Sequence, residues 1–434
     1  HHLFFADMAL KDTGFGELLP QMDVVIFDEA HQIPDIASEY FGESLSSSLL
    51  LELCRDVDMA CKTELRDHPQ LAKIADKLAS QVRDWRLLLP DDPQKGNWRD
   101  LYQDAAQQQA MVRINDAMQL LYQVLKGSLG RADLVDNCYE RLATARSRLE
   151  KLLDVGKSGI SFWYETSRRH ISLHYTPLSI ADKFNSLVFG QKRSWIFTSA
   201  TLSVDAGFSH FTSQMGLQEA RTLQLDSPFD YPNQAMLVVP RYLPEPTDPR
   251  INQALLELAI PLINANNGRC FFLFTSHRML QWMAKALPER INLPVLVQGS
   301  TSKRILLEQF VALKHTVLLG TSSFWEGVDV RGDTLSCVII DKLPFASPDE
   351  PLLQARSEDA RLRGDDPFAK VQLPQAVITL KQGVGRLIRD VSDRGVLVIG
   401  DNRLVSRPYG EVFLKSLPPR RRSRDVGEAI EVLK

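Results

Sequence analysis

Cysteine is scarce and scattered in this chain: five residues among 434, at Cys54, Cys61, Cys138, Cys270 and Cys337, with no Cys-x-x-Cys pair. An odd count at such spacings argues against a secreted disulfide framework. Cys54 and Cys61 lie seven apart in a helical-looking stretch, so they share a face, as two core residues or as two metal ligands. No apolar run reaches the roughly 18 residues that a membrane span needs. No charged-then-apolar leader opens the chain, so the expected location is cytoplasmic, with no membrane partner. An excess of one charge is lacking too. The 51 basic and 54 acidic residues leave a net charge of -3, which neither requires nor forbids a polyanionic partner, because local basic patches and backbone amides can hold one. Internal repeats and low-complexity tracts are missing as well.

What is present is enough sequence for two or three domains, 44% hydrophobic and 24% charged, as expected of a globular protein. Three textures follow one another. Residues 1–44 hold a short buried-strand pattern, Asp23-Val24-Val25-Ile26-Phe27, ending in acidic residues. From about 45 to 160 apolar residues recur at helical spacing: Leu71, Ile74, Leu78 and Val82; Ile114, Met118, Leu121 and Leu125; Leu142, Leu149 and Leu152. A break falls near Leu89-Pro90-Asp91-Asp92-Pro93. Strands return from about 161, including Ile171-Ser172-Leu173-His174-Tyr175 and Trp195-Ile196-Phe197-Thr198. Beyond them, apolar runs at 236–239, 270–274, 295–297, 317–319, 337–340 and 396–399 alternate with helical stretches. That pattern predicts an α/β fold with a parallel sheet covered on both faces. The expected division is 1–44 and 161–231 as parts of one αβ layer, 45–160 as a helical insertion, and 232–434 as a second, complete αβ layer.

Several short motifs sit where such a sheet collects ligands, at the carboxyl ends of strands. Asp28-Glu29-Ala30-His31 follows the first strand. Asp28 there can hold Mg²⁺ and Glu29 can deprotonate an attacking water, or the pair can be a solvated acidic loop. Thr198-Ser199-Ala200-Thr201-Leu202 ends another strand, and its hydroxyls can report the state of a neighbouring loop or simply form a Ser/Thr turn. Phe274-Thr275-Ser276-His277-Arg278 offers hydroxyls and a helix N-terminus to backbone phosphates. Residues 320–329 offer Thr321, Ser322, Trp325, Gly327 and Asp329. Asp329 suits a ribose and the hydroxyls suit a nucleic-acid strand, while Trp325 stacks on a base or packs in the core. In Gln382-Gly383-Val384-Gly385-Arg386-Leu387-Ile388-Arg389, the spacing of Gln382, Arg386 and Arg389 places them on one helical face. Two arginines there suit a phosphate reached across a cleft, or surface salt bridges.

Each motif is modest by itself; their order is specific. DEAH, SAT, FTS, EGVD and QxxGRxxR in this sequence, with a long helical insertion after DEAH, then Ser227-Pro228-Phe229 and Lys342-Leu343-Pro344-Phe345, resemble the XPD/DinG branch of superfamily-two helicases. His1-His2-Leu3-Phe4-Phe5-Ala6-Asp7 resembles the stretch that precedes DEAH in that branch. The resemblance implies two RecA-like motor domains, the first carrying an inserted helical arch, and ATP-driven 5′ to 3′ movement on single-stranded or forked DNA, in repair or replication. It implies Asp28 for Mg²⁺ and Glu29 for the water. Gln382, Arg386 and Arg389 would reach ATP from the second motor, Gly327 and Asp329 would border the nucleotide, and Ser199 and Thr201 would couple the motors.

Two parts of the pattern are absent. No G-x-x-x-x-G-K-[ST] occurs, and Gly190-Gln191-Lys192-Arg193-Ser194 leads into a strand where a phosphate loop leads out of one. The four-cysteine iron–sulfur region of the branch is missing as well, and the cysteines present do not match its spacing, so no cluster is expected here. Two readings remain: the downstream part of an ATP-hydrolysing helicase, or a non-catalytic module that binds DNA or a protein. The basic segment Pro418-Pro419-Arg420-Arg421-Arg422-Ser423-Arg424, with 426–433 behind it, is expected to be a solvated tail or a docking segment for DNA or a replication or repair protein.

Overall fold

The computed structural model describes every residue except 14–17, 66, 191–192, 205–206, 326–329, 331–333, 349, 386 and 419. At 9, 11–13, 189, 322 and 323 it describes the backbone alone.

The apolar runs of the C-terminal half form one seven-stranded, all-parallel sheet. Its order is Arg421–Ser423, Ala235–Val238, Gly395–Ile399, Cys337–Ile340, Cys270–Leu273, Val317–Gly320 and Val295–Val297. Continuous hydrophobicity is required because successive side chains feed two different cores. Phe271, Leu273, Val338, Ile340, Leu397 and Ile399 enter one core; Cys270, Phe272, Cys337, Ile339, Val396 and Val398 enter the other.

The expected tail is part of this domain. Arg421–Ser423 adds an edge strand beside Ala235–Val238. The helix Val426–Leu433 buries Ala429 and Leu433 in the second core, with Val426 and Ile430 packed against it. Four apolar residues at positions one, four, five and eight of that segment make an amphipathic stripe, and the stripe outweighs the flanking arginines.

Near the N-terminus the strand Val24–Phe27 pairs in parallel with Ser194–Phe197. Phe27 stacks between Trp195 and Phe197, and Phe4 meets it edge-on. The opposite face of this two-stranded sheet is open: Val24 is 50% exposed, Ile26 64% and Ile196 47%. Among the described residues nothing covers that apolar stripe.

Between those two strands lies the insertion. The expected helices occur as Ser47–Thr63, Pro69–Leu87, Ala105–Lys126 and Asp133–Leu153. Both of its fully buried indoles donate hydrogen bonds, Trp85 to Gln107 Oε1 and Trp98 to the Leu152 carbonyl, each at 3.0 Å. The boundary at 160 needs correction. Ile160–Thr166 and Ile171–Pro177, expected in the αβ layer, form an antiparallel sheet with Glu43–Ser46 and Lys95–Asn97. Alternation in Ile171–Pro177 gives the reason: Ile171, Leu173 and Tyr175 face the helices, while Ser172, His174 and Thr176 face away. All five cysteines are buried. Burial pushes the Cys54 thiol up to about 12 and Cys138 up to about 11, which disfavours the thiolate that a metal would need.

The C-terminal helix supplies a test. Leu433→Ala should destabilise the C-terminal domain by about 2–4 kcal/mol, the usual cost of truncating a buried leucine. Thermal unfolding measures it, and a change within error would return the segment to a solvated tail.

Candidate functional site

The corner that follows Val24–Phe27 is built from backbone first. Its ladder continues past the strand ends, with the Thr198 amide on the Phe27 carbonyl at 2.8 Å and the Ala30 amide on the Thr198 carbonyl at 3.0 Å. Glu29 therefore turns through a left-handed conformation, φ 48°, which costs a non-glycine residue about 1–2 kcal/mol. Asp28 Oδ1 accepts the Glu29 amide at 3.0 Å. The result sets Asp28 and Glu29 outward at the strand end and turns His31 inward, its side chain 7% exposed against 57% for Glu29.

His31 meets both ends of a polar chain. The side-chain nitrogen of Gln382 lies 2.5 Å from His31 Nε2. An amide nitrogen donates, so Nε2 accepts and the ring proton lies on Nδ1; this assignment follows from the hydrogen-bond network. Nδ1 is 3.0 Å from Thr201 Oγ1 and 3.0 Å from Ser199 Oγ. Thr201 Oγ1 is 3.0 Å from Ser199 Oγ, and the Ser199 hydroxyl donates to Glu29 Oε2 at 2.8 Å. One direction of donation thus runs from Gln382 through His31, Thr201 and Ser199 to the Glu29 carboxylate, and each bond polarises the next. Beside it Lys381 Nζ donates to the Ser203 carbonyl at 2.9 Å, and burial holds its pKa below the usual lysine value. The sequence reading proposed Ser199, Thr201 and Gln382, and the structure brings all three together. It missed what His31 and Lys381 do, since a single polar residue beside a motif carries no pattern.

Gln382 and Arg389 do not share a helical face. The helix Leu373–Val384 ends at Gly385, so Gln382 is helical while Arg389 lies in the turn beyond. Asp393 Oδ2 accepts the amides of Arg389 and Asp390 at 2.8 Å each and holds that turn. Arg386, Gly327 and Asp329 lie outside the described residues. Trp325 is corrected: it is 2% exposed and packed in the first core of the large sheet. Its ring lies so close to Gly383 that a Cβ there would come within 2.6 Å of it. Both the stacking surface and the reason for Gly383 are thereby accounted for.

The hydroxyls assigned to nucleic acid stand at the carboxyl ends of the neighbouring strands Cys270–Leu273 and Val317–Gly320. Thr275 donates its amide to Asp341 Oδ1 at 3.0 Å and its hydroxyl to Oδ2 at 3.4 Å. Ser276 Oγ accepts the Met279 amide and caps the helix His277–Ala286. Thr321 is buried, with its amide and hydroxyl on Gln298 Oε1 at 2.6 and 3.1 Å. The side chain of Ser322 lies outside the described residues. Asp341 and Gln298, which the sequence reading passed over, position these loops. Burial pushes the Asp341 carboxyl up, and Lys342 at 2.9 Å opposes it.

A magnesium ion fits this corner only together with a nucleotide. No group of three or more His, Cys, Asp or Glu side chains able to hold a metal occurs among the described residues. Mg²⁺ ordinarily takes one or two carboxylates and completes its shell with water and phosphate oxygens. Asp28, exposed at the strand end with Glu29 beside it, is such a partial donor set.

The contact between Trp325 and Gly383 can be tested without any ligand. Gly383→Ala improves helix propensity by about 1 kcal/mol, but overpacking a closed core costs about 1–3 kcal/mol. We expect net destabilisation in thermal unfolding, and a stabilised variant would show that Trp325 can move aside.

Comparison with known proteins closes the question of family. A family model described as a Helicase C-terminal domain matches residues 259–420. The ATP-dependent DNA helicase YoaA of Escherichia coli is 57% identical over 433 residues, covering 100% of this chain and 68% of that protein. YoaA of Haemophilus influenzae is 52% identical over 434 residues, with the same coverage of each chain. The ATP-dependent helicase DinG of Mycobacterium tuberculosis is 32% identical over 422 residues, covering 95% of this chain and 62% of that one. Among solved structures, S. tokodaii Xpd4 superposes with a TM-score of 0.58 at 14% identity, covering 97% of this chain and 81% of that one, and so shares its fold. The chain belongs to the XPD/DinG-type superfamily-two helicases, with the YoaA proteins among its relatives.

Proposed function

We propose that this chain is the downstream part of an ATP-driven DNA helicase whose phosphate-binding loop comes from residues outside this sequence. The observation that carries the reading is the chain of hydrogen bonds from Gln382 to Glu29, because it ties one αβ layer to a carboxylate at the strand end of the other. In this reading Glu29 takes the proton of the attacking water at its carboxylate. The Ser199 hydroxyl on Oε2 orients that carboxylate, and His31 holds Thr201 and Ser199 in register with Gln382. Mg²⁺ held by Asp28 and the triphosphate would neutralise charge on the phosphates. Arg386 and Arg389 belong to the opposite side of the same triphosphate, with Gly327 and Asp329 at its border.

A DNA strand is proposed to cross the carboxyl edge of the large sheet at Thr275, Ser276 and Ser322, with backbone phosphates as the contacted groups, while the buried Thr321 holds the loop beneath. Movement from 5′ to 3′, single-stranded or forked DNA as substrate, and work in repair or replication rest on the family resemblance. The insertion is read as the arch of that family. The alternative, a module that binds DNA or a protein partner and hydrolyses nothing, is favoured for the isolated chain by its lack of a phosphate loop.

Three measurements test this. In a protein that carries the phosphate loop, Glu29→Gln should lower DNA-stimulated ATP turnover by about 10²–10⁴-fold with ATP binding retained; near-normal turnover removes Glu29 as the base. Ser199→Ala deletes one hydrogen bond to that carboxylate and should cost about 1 kcal/mol, or about fivefold in turnover. The 434-residue chain alone should show no DNA-stimulated hydrolysis, since positioned amides and a lysine around the phosphates are part of the catalysis. Robust turnover by the isolated chain would place the phosphates elsewhere.

A further inference from the structure

The helix Pro351–Leu362 of the C-terminal domain touches three parts of the molecule at once. Its buried side carries Leu353, Ala355 and Ala360, and it packs on the insertion strands Ile160–Thr166 and Lys95–Asn97. Two ion pairs flank that contact. Lys95 Nζ lies 4.0 Å from Glu350, and Arg99 Nη1 lies 3.8 Å from Glu358. Arg99 is fixed before it meets Glu358: its guanidinium donates to the carbonyls of Val155, Lys157 and Ile160 and lies over the Phe162 ring.

The third contact reaches the catalytic corner. Arg356 Nη2 lies 2.8 Å from Asp35 Oδ1, with the arginine side chain only 15% exposed. Asp35 sits on the helix Ile33–Tyr40, which begins two residues after His31. Arg356, Asp35, Lys95 and Glu350 border one cleft of about 1680 Å³ that also holds Gln382 and His31. His210 packs in the same place. Burial, then the charge of Arg356, pushes its pKa down to about 4, so the ring is neutral at ordinary pH and leaves Asp35 as the partner of Arg356.

We propose that Arg356 is a coupling residue: through Asp35 it joins the helix behind the Asp28–His31 corner to the helix Pro351–Leu362, and so makes that helix, where it packs on the insertion, follow a nucleotide-driven shift of the corner. The proposal rests on the helicase reading and adds a second bridge to the one at Gln382. Two bridges at different places, on helices that both pack on the segment Phe368–Gln372, turn a hinge into a lever. A shift at His31 then cannot be absorbed by rotation about a single contact. Without the Arg356 bridge the corner would still fire, and the helix Pro351–Leu362 would not follow it across the insertion.

The experiment uses the helicase carrying its phosphate loop and reads base pairs unwound per ATP hydrolysed, with DNA-stimulated hydrolysis beside it. Arg356→Asp and Asp35→Arg should each lower the ratio by about fivefold or more while hydrolysis stays within about twofold, as expected for one lost bridge. The exchanged pair, carrying both changes, should recover at least about half of the ratio, because it restores the attraction with reversed signs. Arg356→Gln serves where a reversed charge prevents folding, with the same direction expected. A purely structural role would lower unwinding and hydrolysis together and leave the ratio unmoved, and that outcome overturns the proposal. So does a reduced ratio that the exchanged pair fails to restore. An unmodified protein that hydrolyses ATP without unwinding would sink the helicase reading, and this inference with it.

Discussion

An imidazole has two nitrogens on opposite sides of a rigid ring, so it can hold two groups at a fixed separation and answer to both. His31 is used in this way. Its Nε2 faces Gln382 on a helix of the large sheet domain, and its Nδ1 faces Thr201 and Ser199 on the small one. Because it is almost fully enclosed, neither bond is replaced by water, and the loss of either leaves a buried polar group unsatisfied. The register of Ser199 beneath the Glu29 carboxylate and the approach of the helix Leu373–Val384 both follow from that one ring.

The surrounding architecture repeats a single device at smaller scale. Carboxylates or amides at strand ends collect the amides and hydroxyls of the next loop. Asp341 holds Thr275 and Lys342; Asp401 takes the Leu343 amide at 3.0 Å and pairs with Arg403; Gln298 holds Thr321. Asp341 and Asp401 are buried and Gln298 half-buried, and each joins neighbouring strands at the edge where a ligand would lie. A parallel sheet leaves its strand-end amides unpaired, and these side chains satisfy them, which makes the edge a rigid polar rim.

Much of this was legible from sequence for a physical reason. Strands buried on both faces must be apolar throughout, so the runs at 270–274, 317–319, 337–340 and 396–399 stood out. A carboxylate pair after such a run can only sit at a strand end. What escaped was whatever depended on tertiary neighbours. The spacing of Gln382, Arg386 and Arg389 spoke for one helical face, but Gly385 ends the helix and Asp393 builds a turn beyond it. Trp325 looked available until Gly383 was found against its ring. The arginines ahead of the helical-looking segment 426–433 spoke for a solvated tail, and the alternation in Ile171–Pro177 was visible but was given to the wrong layer. Asp341, Gln298 and Lys381 act singly, and a single residue has no period to read.

The pairing of Val24–Phe27 with Ser194–Phe197 has a consequence for how the chain folds. Its partners are 170 positions apart, and bringing the ends of an unstructured loop of that length together carries an entropy cost that grows with the logarithm of its length. The insertion removes most of that cost. Its helices contact one another mainly between neighbours in sequence, and its own sheet pairs Glu43–Ser46 with Ile171–Pro177. Once that unit has condensed, the effective loop between the two distant strands shrinks to the short segments on either side of it. The helical unit is then a folding template for the corner that follows Val24–Phe27, and the Asp28–His31 turn is expected to take shape after it.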